Sequence, residues 1–293
     1  MSSSVKDISH VFFTIPTAME VLSSSSIATY IIPHLSVGSR GKTDDVPTEG
    51  IVRAMLYRLK TGCQWRFLPL KQFFGEKPYS WSSVYHHYSQ WIQDGSWQNV
   101  FVNLLKTHPR SIDLSSAQVD ASHTPAKRGG QSVGYQKRKR CKTTNITVLS
   151  DTNGTPMSFA TPRSGEHHDS FEIEEVLREI IALLLEADID VQGIFLNADA
   201  AFDTSVVRSV LAEFGIEANI PMNPRNATAQ ERDEYFDDEL YKQRTVIEHT
   251  FAWLDSFKGL LVRYETKLKN WTAMNVIGFI VIFIRRIRNS QKW

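Results

Sequence analysis

The sequence predicts an α/β fold in which a mixed sheet of about five strands is flanked by helices and preceded by an all-helical segment. Before His108 the apolar residues recur at helical spacing, whereas from Ser115 onward short apolar runs alternate with amphipathic segments. The tripeptide HPR at 108–110 separates the two patterns. We therefore divide the chain into a helical domain, residues 1–110, and an α/β domain, residues 111–293.

Four helices are predicted in the first domain, at about 19–35, 47–59, 81–94 and 96–106. Thr48 follows Pro47 at the start of the second helix, while Ser80 is a suitable N-cap for the third, which Gly95 ends. Short helices joined by tight glycine turns are compatible with a helix-turn-helix unit that binds DNA. A purely structural helical domain explains the same pattern, so these helices alone do not decide between the two.

The second domain is predicted to contain five strands, at 117–121, 144–150, 157–161, 193–198 and 217–221. Asn153-Gly154 predicts a hairpin turn between the second and third strands. Helices at about 170–187 and 205–214 separate the later strands, which predicts a mixed sheet with helices on both faces. A last helix at about 271–286 contains an apolar run that is shorter than the roughly 20 residues needed to cross a bilayer. We therefore predict a buried core helix there.

The charge distribution predicts one local basic surface. Net charge is only +1, so a nucleic-acid surface has to come from clustering. The segment 123–142 contains seven basic residues and no acidic one, namely Lys127, Arg128, Lys137, Arg138, Lys139, Arg140 and Lys142. A solvated loop is the simpler explanation, but seven uncompensated charges in a nearly neutral chain favour a phosphate-binding surface.

Three carboxylates occupy positions where they can carry chemistry. Asp120 lies inside the first predicted strand, where an acidic side chain is costly without a partner or a role. Asp199 ends a buried strand, and open α/β sheets bind ligands at the carboxyl ends of their strands. Glu248 lies one helical turn after Arg244 and nearly two after Tyr241. Carboxylates held together repel each other unless cations neutralise them, and their oxygen atoms suit two Mg²⁺ or Mn²⁺ ions.

Each carboxylate also has a simpler explanation. Asp120 could satisfy a neighbouring backbone group, Glu248 could merely pair with Arg244, and Asp199 could cap the next helix, a role for which Thr204 is better placed. A shared site explains all three at once in this order of elements.

The adjacent His167 and His168 also suggest a metal site, but histidines just before a helix more often pack or cap, and Mg²⁺ prefers oxygen ligands. Asp169, three residues before Glu172, resembles the cap of a capping box.

Several sequence motifs carry a family resemblance. The first half contains YRLKTGCQWRFLP and WSSVYHHYSQWIQDGSW, and the second contains QVDAS, KTTNITVLSDTNGTPMSF, GEHHD, NADAAFD and YKQRTVIEHTFAWL. The last three of these are the more specific. Over about residues 25–285 the chain resembles the transposases of the IS5 group, within the wider IS4-type DDE transposases.

This resemblance implies an RNase H-like fold whose DDE triad falls on Asp120, Asp199 and Glu248 and holds two Mg²⁺ ions, with Mn²⁺ as a substitute. The family signature Tyr-x-x-Arg-x-x-x-Glu falls on Tyr241, Arg244 and Glu248. The implied activity is cutting of the ends of an insertion sequence and their joining to target DNA. Double-stranded DNA is the implied partner, both as terminal inverted repeats and as target site, and a homodimer is implied in the DNA complex.

The sequence departs from the family at Asp255, where the signature usually has a lysine seven residues after the glutamate. Lys258, about one turn further on, could replace that lysine as a phosphate contact. Two other interpretations stay open. One is a decayed or domesticated transposase that only binds DNA, and the other is a nuclease of the same fold that cuts but does not join.

The cysteines and the N-terminus predict a cytoplasmic, nucleoid-associated protein. Cys63 and Cys141 lie far apart in the sequence and form no disulfide or metal-ligand pattern, as is typical of a reducing compartment. The N-terminus lacks the basic-then-apolar layout of a signal peptide.

Overall fold

The computed structural model describes residues 20–37, 46–168, 170–223 and 235–290. The first part of the described chain is helical, with α1 (Ser24–Tyr30), α2 (Thr48–Thr61), α3 (Leu70–Phe74), α4 (Trp81–Gln93) and α5 (Ser96–Thr107). Three-residue 3₁₀ turns lie at Ile32–His34, Trp65–Phe67 and Pro109–Ser111. The four predicted helices are found, although the first is shorter than predicted. The segment 36–45, whose Gly, Ser and charged residues predict a loop, lies mostly outside the described residues.

The helix ends follow the capping residues in the sequence. The hydroxyl of Ser80 accepts a hydrogen bond from the amide of Ser83 at the start of α4. Gly62 ends α2 with a φ of 68°, which glycine adopts without strain. A Cβ at Gly62 would also meet the carbonyl oxygen of Lys258 at 3.0 Å, so this glycine lets α2 approach the C-terminal part of the chain closely.

The described strands form one mixed sheet centred on β1 (Ser116–Pro125). One edge of β1 pairs antiparallel with β3 (Cys141–Ser150), and the other pairs parallel with β6 (Phe195–Asn197). Beyond β6 lies β7 (Glu217–Asn219), which is parallel to it. The other edge of β3 pairs antiparallel with three short strands, which are β2 (Gly134–Gln136), β4 (Pro156–Phe159) and β5 (Arg163–Ser164).

The strand order identifies an RNase H-like sheet. Strands β4, β3, β1, β6 and β7 lie side by side, and only β3 runs opposite to the other four. The predicted fold class, a mixed sheet with flanking helices after a helical first part, is therefore confirmed. The sequence analysis missed β2 and β5, because strands of three and two residues are too short to show a period of two.

Helices cover the sheet in the second part. α6 (Ile173–Glu186) packs on β4 and β3, α7 (Ser205–Glu213) packs on α6, and α9 (Val246–Asp255) packs on β1 and β3. The hydroxyl of Thr204 caps α7, as the sequence indicated. Asp169, the predicted cap of α6, lies outside the described residues.

The last helix, α11 (Leu268–Ser290), is the core element that joins the two parts of the chain. Its apolar run at 276–284 is buried throughout. The ring of Phe279 lies 5.9 Å from that of Phe101 in α5 and 5.4 Å from that of Phe159 in β4. By length and composition α11 could span a membrane, yet 83% of its most apolar window is buried inside the protein, as in a core helix. The described residues of both parts thus contribute to one hydrophobic cluster.

Candidate active site

Strand pairing brings Asp120 and Asp199 to the same level of the sheet. β1 and β6 run parallel with Gln118 opposite Asn197, and each aspartate lies two residues further along its own chain. Because side chains two residues apart share one face of a strand, Asp120 projects on the same face as Gln118. One carboxylate therefore lies in β1 just past the part that pairs with β6, and the other lies just past the carboxyl end of β6, where open α/β sheets bind ligands.

The two aspartates differ in their surroundings. The side chain of Asp120 is 29% exposed, and its Oδ1 accepts a hydrogen bond from the amide of Ala121 at 2.8 Å. Asp199 is exposed and caps a 3₁₀ turn, since its Oδ1 accepts from the amide of Ala201 at 3.2 Å. Asp199 thus performs a capping role, although in this short turn and not in α7.

The segment that carries Tyr241, Arg244 and Glu248 is divided into three pieces, whereas the sequence predicted one helix. It consists of α8 (Asp238–Tyr241), a 3₁₀ turn (Lys242–Thr245) and α9. The guanidinium of Arg244 lies 5.8 Å from the ring centre of Tyr241, and its Nη1 lies 3.7 Å from Oδ2 of Asp120. Glu248 is exposed in the first turn of α9. The ion pair of Arg244 is therefore with Asp120 and not with Glu248.

One face of this segment forms a buried stripe. Ile247, Thr250, Leu254 and Phe257 are buried, whereas Leu261 is 42% exposed. Leu261 leaves the stripe because α9 ends at Asp255 and a separate short helix, α10 (Lys258–Leu261), follows.

Three buried amide side chains form a row across β1, β6 and β7, whose pairing places Gln118, Asn197 and Asn219 side by side. We call these residues the amide row. Asn219 donates from Nδ2 to Oδ1 of Asn197 at 2.7 Å, and Asn197 donates from Nδ2 to Oε1 of Gln118 at 2.8 Å. All three are at most 1% exposed, so these hydrogen bonds form out of contact with water.

The amide row also fixes the segment that carries Arg244. Asn197 donates to the carbonyl of Leu240 at 3.2 Å, while Asn219 donates to the carbonyl of Asp237 at 3.0 Å and accepts from its amide at 2.8 Å. At the other end Gln118 donates to the hydroxyl of Ser116, which donates to Gln243, the residue before Arg244. The sequence analysis missed this role. The available signal was the presence of amide residues in otherwise apolar strands.

The turn between β3 and β4 holds the start of α9. The hydroxyl of Thr250 donates to the carbonyl of Gly154 at 2.6 Å, and a Cβ at Gly154 would meet the carbonyl oxygen of Val246 at 3.0 Å. Gly154 has a φ of 76°, so both conformation and space require glycine here. Asp151 completes the turn by accepting from the amides of Asn153 and Thr155, and burial raises the pKa of its carboxyl group.

The predicted basic loop is partly a β-hairpin. Residues 137–140 form the turn between β2 and β3, and all seven predicted basic residues are exposed. Lys139 donates from Nζ to the carbonyl of His123 at 2.8 Å, which ties the turn to β1, the strand of Asp120. We call β2, β3 and this turn the basic hairpin. Its charge therefore lies next to β1, the strand that carries Asp120.

Asp255 is the last residue of α9 and Lys258 is the first residue of α10. Both side chains are exposed. Partial burial raises the pKa of the Asp255 carboxyl group, and the charge of Lys139 acts in the opposite direction. Asp255 therefore lies within electrostatic reach of the basic hairpin, at the position where the family usually has a lysine.

The adjacent histidines make packing and local polar contacts. The ring of His167 stacks on that of Phe171 with 3.6 Å between their centres. His168 lies with its Nδ1 2.7 Å from the hydroxyl of Ser170.

The strand order, with two aspartates at matched positions in β1 and after β6, places the chain in the class of RNase H-like α/β domains. The family model "Transposase DDE domain" matches residues 114–284, which is more than half of the chain. The chain therefore belongs to the DDE transposase domain family. A second model, "Putative transposase of IS4/5 family", matches residues 26–101.

Two solved structures resemble the chain at low identity. "Mos1 transposase paired-end complex with left transposon end" has 13% identity over 83% of this chain and 78% of the other, with a TM-score of 0.29. "Crystal structure of a pre-cleavage Mos1 transpososome" has 13% identity over 88% and 82%, also with a TM-score of 0.29. A TM-score of 0.29 is too low to support an inference about the structure or the function of this chain. No protein of curated function matches the sequence.

DDE transposases generally use divalent metal ions, and the donor chemistry here fits such an ion. Asp120 and Asp199 offer hard oxygen ligands from matched positions on neighbouring strands. Within the described ranges, however, no three His, Cys, Asp or Glu side chains stand close enough together to hold one ion. The register of β1 and β6 places the two aspartates at matched positions, and Glu248 lies in the first turn of α9.

Proposed function

We propose that this chain is a transposase of the IS5 group that cuts the ends of an insertion sequence and joins them to target DNA. One observation supports this most strongly. In a chain of the DDE family, β1 and β6 align Asp120 with Asp199, and Arg244 lies beside Asp120. Phosphoryl transfer depends mainly on positioning and on stabilisation of charge, and this arrangement offers both.

In this proposal Asp120, Asp199 and Glu248 hold two Mg²⁺ ions, which Mn²⁺ can replace. Such ions activate the attacking oxygen and stabilise the leaving oxygen of a phosphodiester. Arg244 binds the phosphate next to the cut, because its guanidinium lies beside the carboxylate of Asp120. Tyr241 supports that guanidinium with the face of its ring.

The DNA contacts are proposed from charge and exposure. The basic hairpin, with Lys127 and Arg128 before it, grips the element end, and Lys258 adds a further phosphate contact. The helices of a domain 1–110 read the terminal inverted repeat, while a domain 111–293 performs the reaction. Cutting two ends in concert requires at least a homodimer on DNA, and the protein acts on the nucleoid in the cytoplasm.

The test is cleavage of DNA that carries the element ends, with and without Mg²⁺. We expect Asp120→Asn, Asp199→Asn and Glu248→Gln each to lower the cleavage rate by a factor of about 10³ or more, since each removes a ligand charge. Glu217→Gln, an exposed glutamate at the start of β7, is the matched control and should cleave at the wild-type rate. If all three triad variants cleave as fast as this control, the assignment is wrong.

A protein that only binds DNA is the second candidate, and one observation favours it. Asp255 stands seven residues after Glu248, where the family signature usually has a lysine. This candidate predicts sequence-specific binding to the element ends with no metal-dependent cleavage. Strand-transfer products from pre-cut ends would exclude both this candidate and a nuclease that cuts without joining.

A further inference from the structure

A cleft of about 520 Å³ lies away from the carboxylates, between the helical first part and the segment 264–270. Four aromatic side chains line it, which are Trp65, Trp81, Tyr85 and Tyr264. We call it the aromatic cleft. Its volume falls within the usual range of about 300–1,000 Å³ for sites that bind small molecules, so one nucleotide can enter it.

Cations dominate the charge of the aromatic cleft. Arg58, Arg66, Arg128 and Lys267 line it together with one carboxylate, Glu265. Glu265 is already used, because it forms a buried ion pair with Arg58. The other three cations are exposed and face solvent at the cleft. The cleft therefore keeps a positive charge that favours an anion.

The aromatic rings are arranged as a platform with one exposed member. Trp65 packs at 5.3 Å from Tyr85, centre to centre, and the guanidinium of Arg58 lies 4.6 Å from the centre of the Trp65 ring. The guanidinium of Arg66 similarly lies 5.2 Å from the centre of the Trp81 ring. Tyr264 is 54% exposed, which leaves it accessible for stacking.

The buried Arg58 adds hydrogen-bond donors below this platform. It is 7% exposed, and its Nε and Nη1 have no hydrogen-bond partner among the residues described. Arg58 therefore adds a buried positive charge to the wall of the cleft. Together with aromatic faces and exposed cations, it suits a ligand that combines a flat π-system with a phosphate.

The aromatic cleft is linked to the candidate active site through β1. Ala126, just after β1, forms a parallel bridge with Arg263, and the amide of Gln131 donates to the carbonyl of Thr266. Ala126 lies six positions after Asp120 in the sequence, which corresponds to about 20 Å of extended strand. One strand of DNA advances about 3.4 Å per nucleotide, so about six steps cover the same distance.

We propose that the aromatic cleft binds an unpaired nucleotide of the DNA substrate, about six nucleotides from the cut. The base stacks on Tyr264, and the phosphate pairs with Arg66, Arg128 and Lys267. Duplex DNA keeps its bases stacked inside the helix, so the cleft selects strands that are single or locally opened. The choice of DNA as the source of the nucleotide rests on the proposed function.

The test measures binding of the full-length protein to a labelled oligothymidine strand at fixed salt without divalent metal. We expect Tyr264→Ala and Arg66→Ala each to weaken binding by about tenfold, as loss of a stacked base or its phosphate contact does. Tyr264→Phe keeps the ring and should bind like the wild type. Arg110→Ala is the matched control, because Arg110 is also exposed in the middle of a three-residue 3₁₀ turn.

Two results would overturn the proposal. One is wild-type binding of oligothymidine by both Tyr264→Ala and Arg66→Ala. The other is an equal loss in Arg110→Ala, which would show an effect of total charge only. Because the assay contains no divalent metal, its result does not depend on metal-dependent cleavage by the triad. Failure of the nucleotide site and failure of the triad are therefore separate outcomes.

Discussion

At the scale of single residues, the electrostatic environment of Asp255 is the clearest departure from the DDE family pattern. A carboxylate within reach of Lys139 weakens the attraction of the basic hairpin for phosphate. The structure offers no compensating cation in its place within α9, while Lys258 follows in α10. If the basic hairpin binds DNA as proposed, Asp255 is expected to lower the affinity without contacting the triad.

We expect Asp255→Asn to bind DNA about fivefold more tightly, because one unit charge near 4 Å in water contributes about 1 kcal/mol. Wild-type affinity should also rise as the pH falls through the raised pKa of Asp255, since protonation removes the charge, and Asp255→Asn should lack this step. Binding isotherms of both proteins between neutral and acidic pH measure the effect. Asp190→Asn, another exposed aspartate, is the control, and equal gains in both variants would contradict the assignment.

At the scale of elements, the amide row explains how side chains from β1, β6 and β7 hold the segment that carries Arg244. Its hydrogen bonds reach Asp237, Leu240 and, through Ser116, Gln243. These contacts are made by side chains to backbone or amide groups, so they fix both the position and the rotation of α8 and the following turn. Arg244 comes next in the chain and is thereby directed to Asp120.

Asn197→Leu removes the hydrogen bonds of Asn197 with Gln118, Asn219 and the carbonyl of Leu240. We expect each buried group left without its partner to lower the free energy of unfolding by about 1–3 kcal/mol. Cleavage should fall further than folding alone explains, with little change in DNA binding. Leu184→Ala, a buried change in α6 that costs about 2–5 kcal/mol, is the matched control and should cleave normally below its unfolding temperature. Equal cleavage by the two variants would show that the row only supports stability.

The elements also show how far the sequence can be interpreted. The buried run at 193–198 and the Asn153-Gly154 turn were predictable, because burial and positive φ leave direct traces in residue type. The register that aligns Asp120 with Asp199 could not be derived from either strand alone, since it depends on pairing between distant segments. The break in the helix before α9 was missed for a similar reason. Its cause is the tertiary contact of the amide row, while the local sequence remains helical.

The site shows the same division between local and distant information. The motif resemblance indicated Asp120, Asp199 and Glu248, whereas the matched positions of the first two depend on pairing between distant strands. The aromatic cleft was not predictable at all, because Arg66, Arg128 and Tyr264 come from three distant segments. Its residues are individually ordinary, and only the fold brings their charges and rings together.

At the scale of the whole molecule, α11 determines whether the two parts of the chain can fold separately. Its buried face packs on α5 and α2 from the first part and on β4 and α9 from the second. Phe279 is fully buried between Phe101 and Phe159, one from each part. A boundary at residue 110 would therefore leave α11 with an uncovered apolar face in an isolated second domain.

We expect Phe279→Ala to lower the free energy of unfolding by about 3–5 kcal/mol and to affect both parts equally. Native-state hydrogen exchange of the slowest amides in α5 and in β1 measures this, and both sets should accelerate by the same factor. Ile51→Ala, fully buried in α2, provides the converse test, because its effect should also reach the amides of β1. If Ile51→Ala accelerates exchange only in α2 to α5, the two parts unfold independently and the proposed boundary at residue 110 divides two stability units. Equal acceleration of hydrogen exchange in both parts would instead show that the helical part and the sheet unfold together. DNA bound by the first part would then be held rigidly relative to Asp120 and Asp199.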